Sequence, residues 1–302
     1  MLEITRVDHI SMAVRELAPH VDVLRRLFGF QPVGDWVVEG EGYEGVKLQV
    51  PGRSGVAWEV LAPHGPDSYL ARFLDGPNGP GLHHVAFDVP DVGEAVERLR
   101  ALGIEPWGQP SPDGHWPEAY IHPRRGGNGF LYQLYSSGSG APWHRADVVE
   151  PTSDAEGTLG ITAINHLAHA HADRETLAAW YEQVLGMRTI HRSQDGDSEF
   201  LTQVLEMPGR QMRWEIIQPG RPGSFVQRFL DARGPAMHHV TFEVGDWARA
   251  LAACEQHGVP IFGERAGVEH GGGRWNEAFI HPRHTGGFLA QFFWEERPGT
   301  WI

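Results

Sequence analysis

The chain has 302 residues, 41% of them hydrophobic and 21% charged, which points to a globular protein of about two domains and excludes global disorder. A formal net charge of −14 argues against a partner that is nucleic acid or an anionic membrane. The single cysteine, Cys254, excludes an intramolecular disulfide, and no apolar run approaches the ~20 residues of a membrane span, so a cytoplasmic protein is expected.

The opening MLEITRVDHISMAV lacks the order of a signal peptide. Within it VDHISMAV (7–14) alternates as a strand does, and LAPHVDVLRRLFGF (17–30) has a helical period that stops at a glycine. Strand candidates VVEG, GVKLQV and VAWEVLAP follow. The plan then restarts: HHVAFDV as strand, VGEAVERLRALGI as helix, and PWGQP, EAYIHP and GFLYQLYS as strands. The first half therefore reads as two β-α-β-β-β modules. No Gly-rich phosphate loop follows a first strand, which argues against a dinucleotide-binding fold.

The whole plan then recurs. AWEVLAPHGPDSYLARFLDGPNGPGLHHVAFDV (57–89) returns as RWEIIQPGRPGSFVQRFLDARGPAMHHVTFEV (213–244). EAYIHPRRGGNGFLYQLY (118–135) returns as EAFIHPRHTGGFLAQFF (277–293), and VDHISMAV as INHLAHAH (164–171), with an offset near 157 residues throughout. Domains are expected at 1–145 and 158–302, joined by a Ser, Gly, Pro and acid-rich linker at 146–157. The fold class is α+β, with four β-α-β-β-β modules.

Strand alternation sets the candidate chemistry. In HISMAV, His9, Ser11 and Ala13 share a face opposite Ile10, Met12 and Val14; in HVAFDV, His84, Ala86 and Asp88 do the same. The last strands of the two modules add Glu59 and Gln133. His9 to Glu59 is 50 residues and His84 to Gln133 is 49, so the two modules offer equivalent histidine-plus-oxygen pairs. His166, Glu215, His239 and Gln291 repeat the set. Two imidazoles, a carboxylate and an amide oxygen suit a borderline divalent ion such as Mn, Co, Ni, Zn or Fe(II), with neighbouring positions left for a substrate bearing vicinal oxygens. His83 and His238 are expected on the opposite face as structural residues, and Trp58 and Trp214 as packing residues. His169 and His171 stand where Met12 and Val14 would predict apolar side chains.

D-H-I-S-M-A-V, G-L-H-H-V-A-F-D-V and I-H-P-R-R-G-G-N-G-F-L-Y-Q-L resemble the vicinal oxygen chelate superfamily, which includes glyoxalase I, methylmalonyl-CoA epimerase, extradiol dioxygenases and bleomycin-resistance proteins. The resemblance covers each half once and is nearest to the methylmalonyl-CoA epimerases. It implies two tandem domains with curved mixed sheets and carries the family's ligand positions onto His9, Glu59, His84 and Gln133, and onto His166, Glu215, His239 and Gln291. It also implies an isomerase or epimerase that abstracts a proton next to a metal-bound carbonyl of a small keto-acid, keto-sugar or acyl-CoA. Candidate bases are Glu59 and Glu215, with Glu44 (or Glu41) and Glu199 near the position of the family's other catalytic glutamate. His115 and Glu118 are candidates for lining the cavity, and Arg124 is expected to be exposed. Gln133 and Gln291 replace a ligand glutamate; an amide can ligate but cannot shuttle a proton, which counts against an epimerase base there and against an extradiol dioxygenase. A glyoxalase-like lyase, a dioxygenase and a non-catalytic drug-binding protein are the alternatives. A small-molecule partner is expected, with no nucleic acid and no membrane, in a monomer with an internal pseudo-dimer or in a homodimer.

Overall fold

The computed structural model describes residues 1–112, 114–115, 117–137, 155–194, 198–268 and 272–297. In the first half the elements are β1 (Arg6–Ala13), α1 (Leu17–Arg26), β2 (Gln31–Val38), β3 (Tyr43–Gln49), β4 (Ala57–Pro63), α2 (Leu70–Leu74), β5 (Gly81–Asp88), α3 (Val92–Ala101), β6 (Glu118–Ile121) and β7 (Leu131–Tyr135). In the second they are β8 (Ile161–Ala170), α4 (Arg174–Leu185), β9 (Arg188–Arg192), β10 (Phe200–Glu206), β11 (Arg213–Pro219), α5 (Phe225–Arg233), β12 (Ala236–Val244), α6 (Trp247–Gln256), β13 (Ile261–Val268), β14 (Arg274–Ile280) and β15 (Leu289–Glu295). Of the expected linker, residues 146–154 lie outside the described residues. Among the described residues no helix is long and apolar enough to cross a membrane.

The first sheet runs β2-β3-β4-β1-β5-β7-β6 and the second β9-β10-β11-β8-β12-β15-β14-β13. Both are mixed: β5 pairs parallel with β7 and β12 with β15, while β6–β7 and β14–β15 are antiparallel. The α+β expectation holds, with one correction. PWGQP is not a strand; it is reduced to an isolated bridge between Trp107 and Tyr120, whereas its counterpart is the full strand β13. Pro106 and Pro110 lack the N–H that a ladder requires, and Gly108 adds no side chain to pack.

Local chemistry sets the helix ends. Asp91, Asp173, Ser224 and Asp246 cap α3, α4, α5 and α6, each accepting from a backbone N–H of the first turn. Gly186 ends α4 in the left-handed conformation at φ 67°. The short α2 sits on Ala13 and Leu61 through Leu70 and Leu74, and α5 packs on Ala170 and Ile217 through Val226.

The sheets follow the sequence halves, but the packing does not. The chain forms two compact units, each drawing on both halves. One gathers α3, β6 and β7 with α4, β9, β10, β11 and α5; the other gathers α1, α2 and β2–β4 with α6 and β13–β15. In the first unit Tyr132 lies 5.4 Å from Trp180 and 6.1 Å from Phe87, and Tyr181 lies 5.3 Å from Trp214, centroid to centroid. In the second, Phe28 lies 5.5 Å from Phe242, Phe30 5.7 Å from Trp58, and Trp58 4.9 Å from Phe288. Trp58 and Trp214 are therefore packing residues, both fully buried. Backbones of the two halves also meet closely. A Cβ at Gly52 would fall 1.9 Å from the Thr162 carbonyl oxygen, and one at Gly129 would fall 1.8 Å from that of Pro235.

Candidate metal centres

Alternation along β1 and β5 turns His9 and His84 to one face, and their Nε2 atoms come within 3.2 Å. In the second half β8 and β12 do the same for His166 and His239, at 3.3 Å. β4 and β11 supply the carboxylates. Ligand atoms of His9, Glu59 and His84 all lie within 4.8 Å of one another, as do those of His166, Glu215 and His239. All six residues are buried.

The neighbours of these histidines decide what the rings can do. His9 Nδ1 lies 2.7 Å from Asp8 Oδ2, and a carboxylate only accepts, so Nδ1 carries the hydrogen and Nε2 keeps its lone pair. Asp8 is held in turn by Arg6. In the second half His166 Nδ1 lies 2.7 Å from Asn165 Oδ1, and Asn165 Nδ2 donates to Glu243 at 2.9 Å, which fixes the amide and puts the hydrogen on Nδ1 again. Glu243 pairs with Arg53. Two imidazole Nε2 atoms facing each other beside a buried carboxylate are the donor set a borderline divalent cation takes. Burial, with His238 and His166 alongside, holds His239 well below the ordinary histidine range and so keeps it neutral, the form that ligates.

The glutamines stand on β7 and β15. Gln133 donates through Nε2 to Glu118 at 2.5 Å and to the Tyr120 hydroxyl at 3.2 Å, and its Oε1 is buried with no hydrogen-bond partner among the described residues. An orphaned buried amide oxygen is a further mark of a site that fits a cation. Gln291 donates to Glu277 at 2.8 Å, while its Oε1 accepts from Thr241 at 2.6 Å.

Other candidates stand elsewhere. Glu44 is three residues from Lys47 on β3, where Lys47 is the register partner of Glu59; Glu44 therefore lies on the opposite face, 3.8 Å from His64. Glu199 precedes β10 and pairs with Arg221, and Glu41 lies in the turn between β2 and β3. Arg124 and His115 are exposed. His83 and His238, expected to face away, turn their Nδ1 to within 2.9 Å of His84 Nδ1 and His239 Nδ1. Burial lowers His83 to about 4. Four residues near the centres escape a reading of the sequence: Asp8, Glu277, Thr241 and the buried Lys47. Register is the signal that could have found Lys47, since it stands directly across from Glu59 on the next strand.

His169 belongs to the core. Its Nε2 donates to the Asn128 carbonyl at 3.1 Å, so Nδ1 accepts from the Tyr181 hydroxyl at 2.6 Å, which in turn accepts from Tyr132 at 2.7 Å. Burial pushes His169 down to about 3. The unfolded chain takes up this proton near 6.5 and the folded chain only near 3. The stability from a neutral His169 is therefore complete above 6.5 and is lost as pH falls from 6.5 towards 3. Between pH 7 and pH 5 the loss is about 2 kcal/mol. Urea denaturation at the two pH values should show it, and His169→Met should flatten the difference. An unchanged pH dependence in the variant would count against this assignment.

A sequence profile described as the glyoxalase/bleomycin resistance protein/dioxygenase superfamily matches residues 8–120 and 165–279. The chain is 27% identical over 207 residues to a 3-dehydroshikimate dehydratase of Pseudomonas aeruginosa, covering 65% of this chain but 31% of that protein's length. It is 30% identical over 134 residues to an ethylmalonyl-CoA/methylmalonyl-CoA epimerase of Cereibacter sphaeroides, covering 43% of this chain and 97% of the epimerase. A solved structure of a mutant 4-hydroxymandelate synthase from Streptomyces coelicolor shares the fold at a TM-score of 0.72, with 16% identity, over 98% of this chain and 94% of that one.

Proposed function

The chain belongs to the glyoxalase/bleomycin resistance protein/dioxygenase superfamily, and from that membership we propose a divalent-metal-dependent isomerase or epimerase. It moves a proton on the carbon beside the carbonyl of a small keto-acid, keto-sugar or acyl-CoA. The observation that carries this reading is the buried His9, Glu59 and His84 group with Lys47 across from Glu59. A divalent ion held by His9, Glu59, His84 and Gln133, with a second set at His166, Glu215, His239 and Gln291, would supply Lewis acidity to a carbonyl oxygen. The protein's own groups do the rest. Glu59 is the candidate base, as a ligand that loosens to accept a proton, which the amides of Gln133 and Gln291 cannot do. The Lys47 ammonium offers positive charge on the same face, where negative charge would develop on the substrate oxygen. Similarity to the ethylmalonyl-CoA/methylmalonyl-CoA epimerase supports this choice.

A second reading has an observation of its own. Two histidines and one carboxylate with open positions are the donor set of non-haem Fe(II) oxygenases. The amides at Gln133 and Gln291 therefore do not count against a dioxygenase, because Glu59 on β4 and Glu215 on β11 offer the carboxylate beside the two histidines.

One experiment separates the two. The chain is loaded with Mn, Co, Ni, Zn or Fe(II) and incubated in D₂O with a panel of keto-acids, keto-sugars and acyl-CoA thioesters. NMR should show deuterium entering beside the carbonyl, and Glu59→Gln should abolish it. Lys47→Met should slow it ~10²-fold with the fold intact. Oxygen uptake confined to the Fe(II) form, without exchange, puts the oxygenase ahead. Neither signal with any metal leaves the non-catalytic binding protein.

A further inference from the structure

The two centres share their ligand types but not their surroundings. Ala86 is the register partner of Gln133 on the neighbouring parallel strand, and Thr241 is the register partner of Gln291. The methyl of Ala86 offers no donor or acceptor. Thr241, fully buried, places its hydroxyl 2.9 Å from His166 Nε2 and 2.6 Å from Gln291 Oε1. A hydroxyl carries one hydrogen. His166 gives its own hydrogen to Asn165 through Nδ1, so its Nε2 is an acceptor, as is Gln291 Oε1. Two acceptors thus compete for a single hydroxyl hydrogen, and the Thr241 oxygen stands among the converging lone pairs. At the first centre position 86 carries no such group, and Gln133 Oε1 is left without a hydrogen bond among the described residues; the buried Ser11 hydroxyl on the His9 face, where the second half has Ala168, makes none either. The charged surroundings diverge in the same direction. Lys47 across from Glu59 becomes Val204 across from Glu215, and Asp8 behind His9 becomes Asn165 behind His166.

We infer that only the first centre accepts a ligand chelating through two neighbouring oxygens, because Thr241 Oγ1 fills at the second centre the place one of those oxygens would take. The inference rests on the metal-binding reading above. It holds whether the Thr241 hydroxyl closes a hydrogen-bonded ring or adds a donor to a bound ion, since either use takes up that place. The first centre is then the reaction site, and the second is a retained scaffold or a structural ion site.

The test uses the full chain loaded with Co(II), with cobalt counted by elemental analysis. Acetohydroxamate, a small chelator with two vicinal oxygens, is titrated while the visible absorption of cobalt is followed. The wild type should take up one acetohydroxamate per chain, and His9→Ala should lose it while His166→Ala keeps it. Thr241→Ala should raise the stoichiometry to two, Thr241→Ser should leave it at one, and Ala86→Thr should lower it to zero. Two equivalents in the wild type, one in Thr241→Ala, or loss with His166→Ala would each overturn the inference while the cobalt count left the metal reading standing. A wild type that binds no cobalt overturns both.

Discussion

His9→Ala is expected to abolish one metal equivalent per chain and to lower kcat/KM by ~10²–10³-fold, with circular dichroism unchanged. The magnitude follows from the Lewis acidity that would be lost, worth several kcal/mol of transition-state stabilisation, at a factor of ten per ~1.4 kcal/mol. The fold should survive because His9 faces the cluster of lone pairs, while the residues beside it on β1, Ile10 and Met12, point into the core and are fully buried. Asp8 should show the graded version. Its carboxylate, 2.7 Å from His9 Nδ1, fixes the tautomer and the orientation of the ring. Asp8→Asn, which copies the second half, should weaken metal binding ~10-fold and not eliminate it. Elemental analysis and a competition titration with a metal indicator measure both. If His9→Ala keeps its full metal content and rate, the centre lies elsewhere.

Trp58→Ala should cost about 3–5 kcal/mol, the usual loss when a large aromatic leaves a packed core. The indole lies 4.9 Å from Phe288 and 6.1 Å from Phe242, so the cavity would open between side chains of both halves. The damage should therefore appear in the second half as well as the first. Native-state hydrogen exchange should show β12 and β15 amides losing protection along with those of β4. If protection fell in β4 alone, the halves would be energetically separate and the shared cores would contribute little.

Much of this arrangement is legible in the residues. Alternation in HISMAV and HVAFDV puts His9 and His84 on one face, and equal spacing carries Glu59 and Gln133 to matching strands. The repeat fixes the two sheets and the order of their modules. What escapes is whatever depends on which surfaces meet at long range. Nothing local in Phe28, Trp58 or Tyr132 says that each packs against an aromatic side chain well over 40 residues away in the other half. His169 looks misplaced on a core face until the Tyr181 hydroxyl, 12 residues on, accounts for it. Lys47 reads as one more surface lysine until the β3–β4 register sets it opposite Glu59. Glu44 reads as a base because it lies near a family position, but strand parity sends it the other way. PWGQP has the right place for a strand and the wrong donors. Thr241 passes as a conservative counterpart of Ala86, because the cost of one hydroxyl depends on the two acceptors around it and not on the residue's own class.

The shared cores also bear on how such a gene can change once its halves have been joined. Phe28 and Phe30 rest on Phe242, and Tyr132 rests on Trp180. Loss of either copy would expose aromatic side chains of its sibling that are now buried against it, which counts against deletion. Drift in the chemistry of one copy meets no such obstacle, because the aromatic side chains that hold the halves together are different residues from those that surround the lone pairs. If only the first centre takes a chelating ligand, the second copy can carry Asn165, Val204 and Thr241 where the first has Asp8, Lys47 and Ala86 and still serve as a buttress.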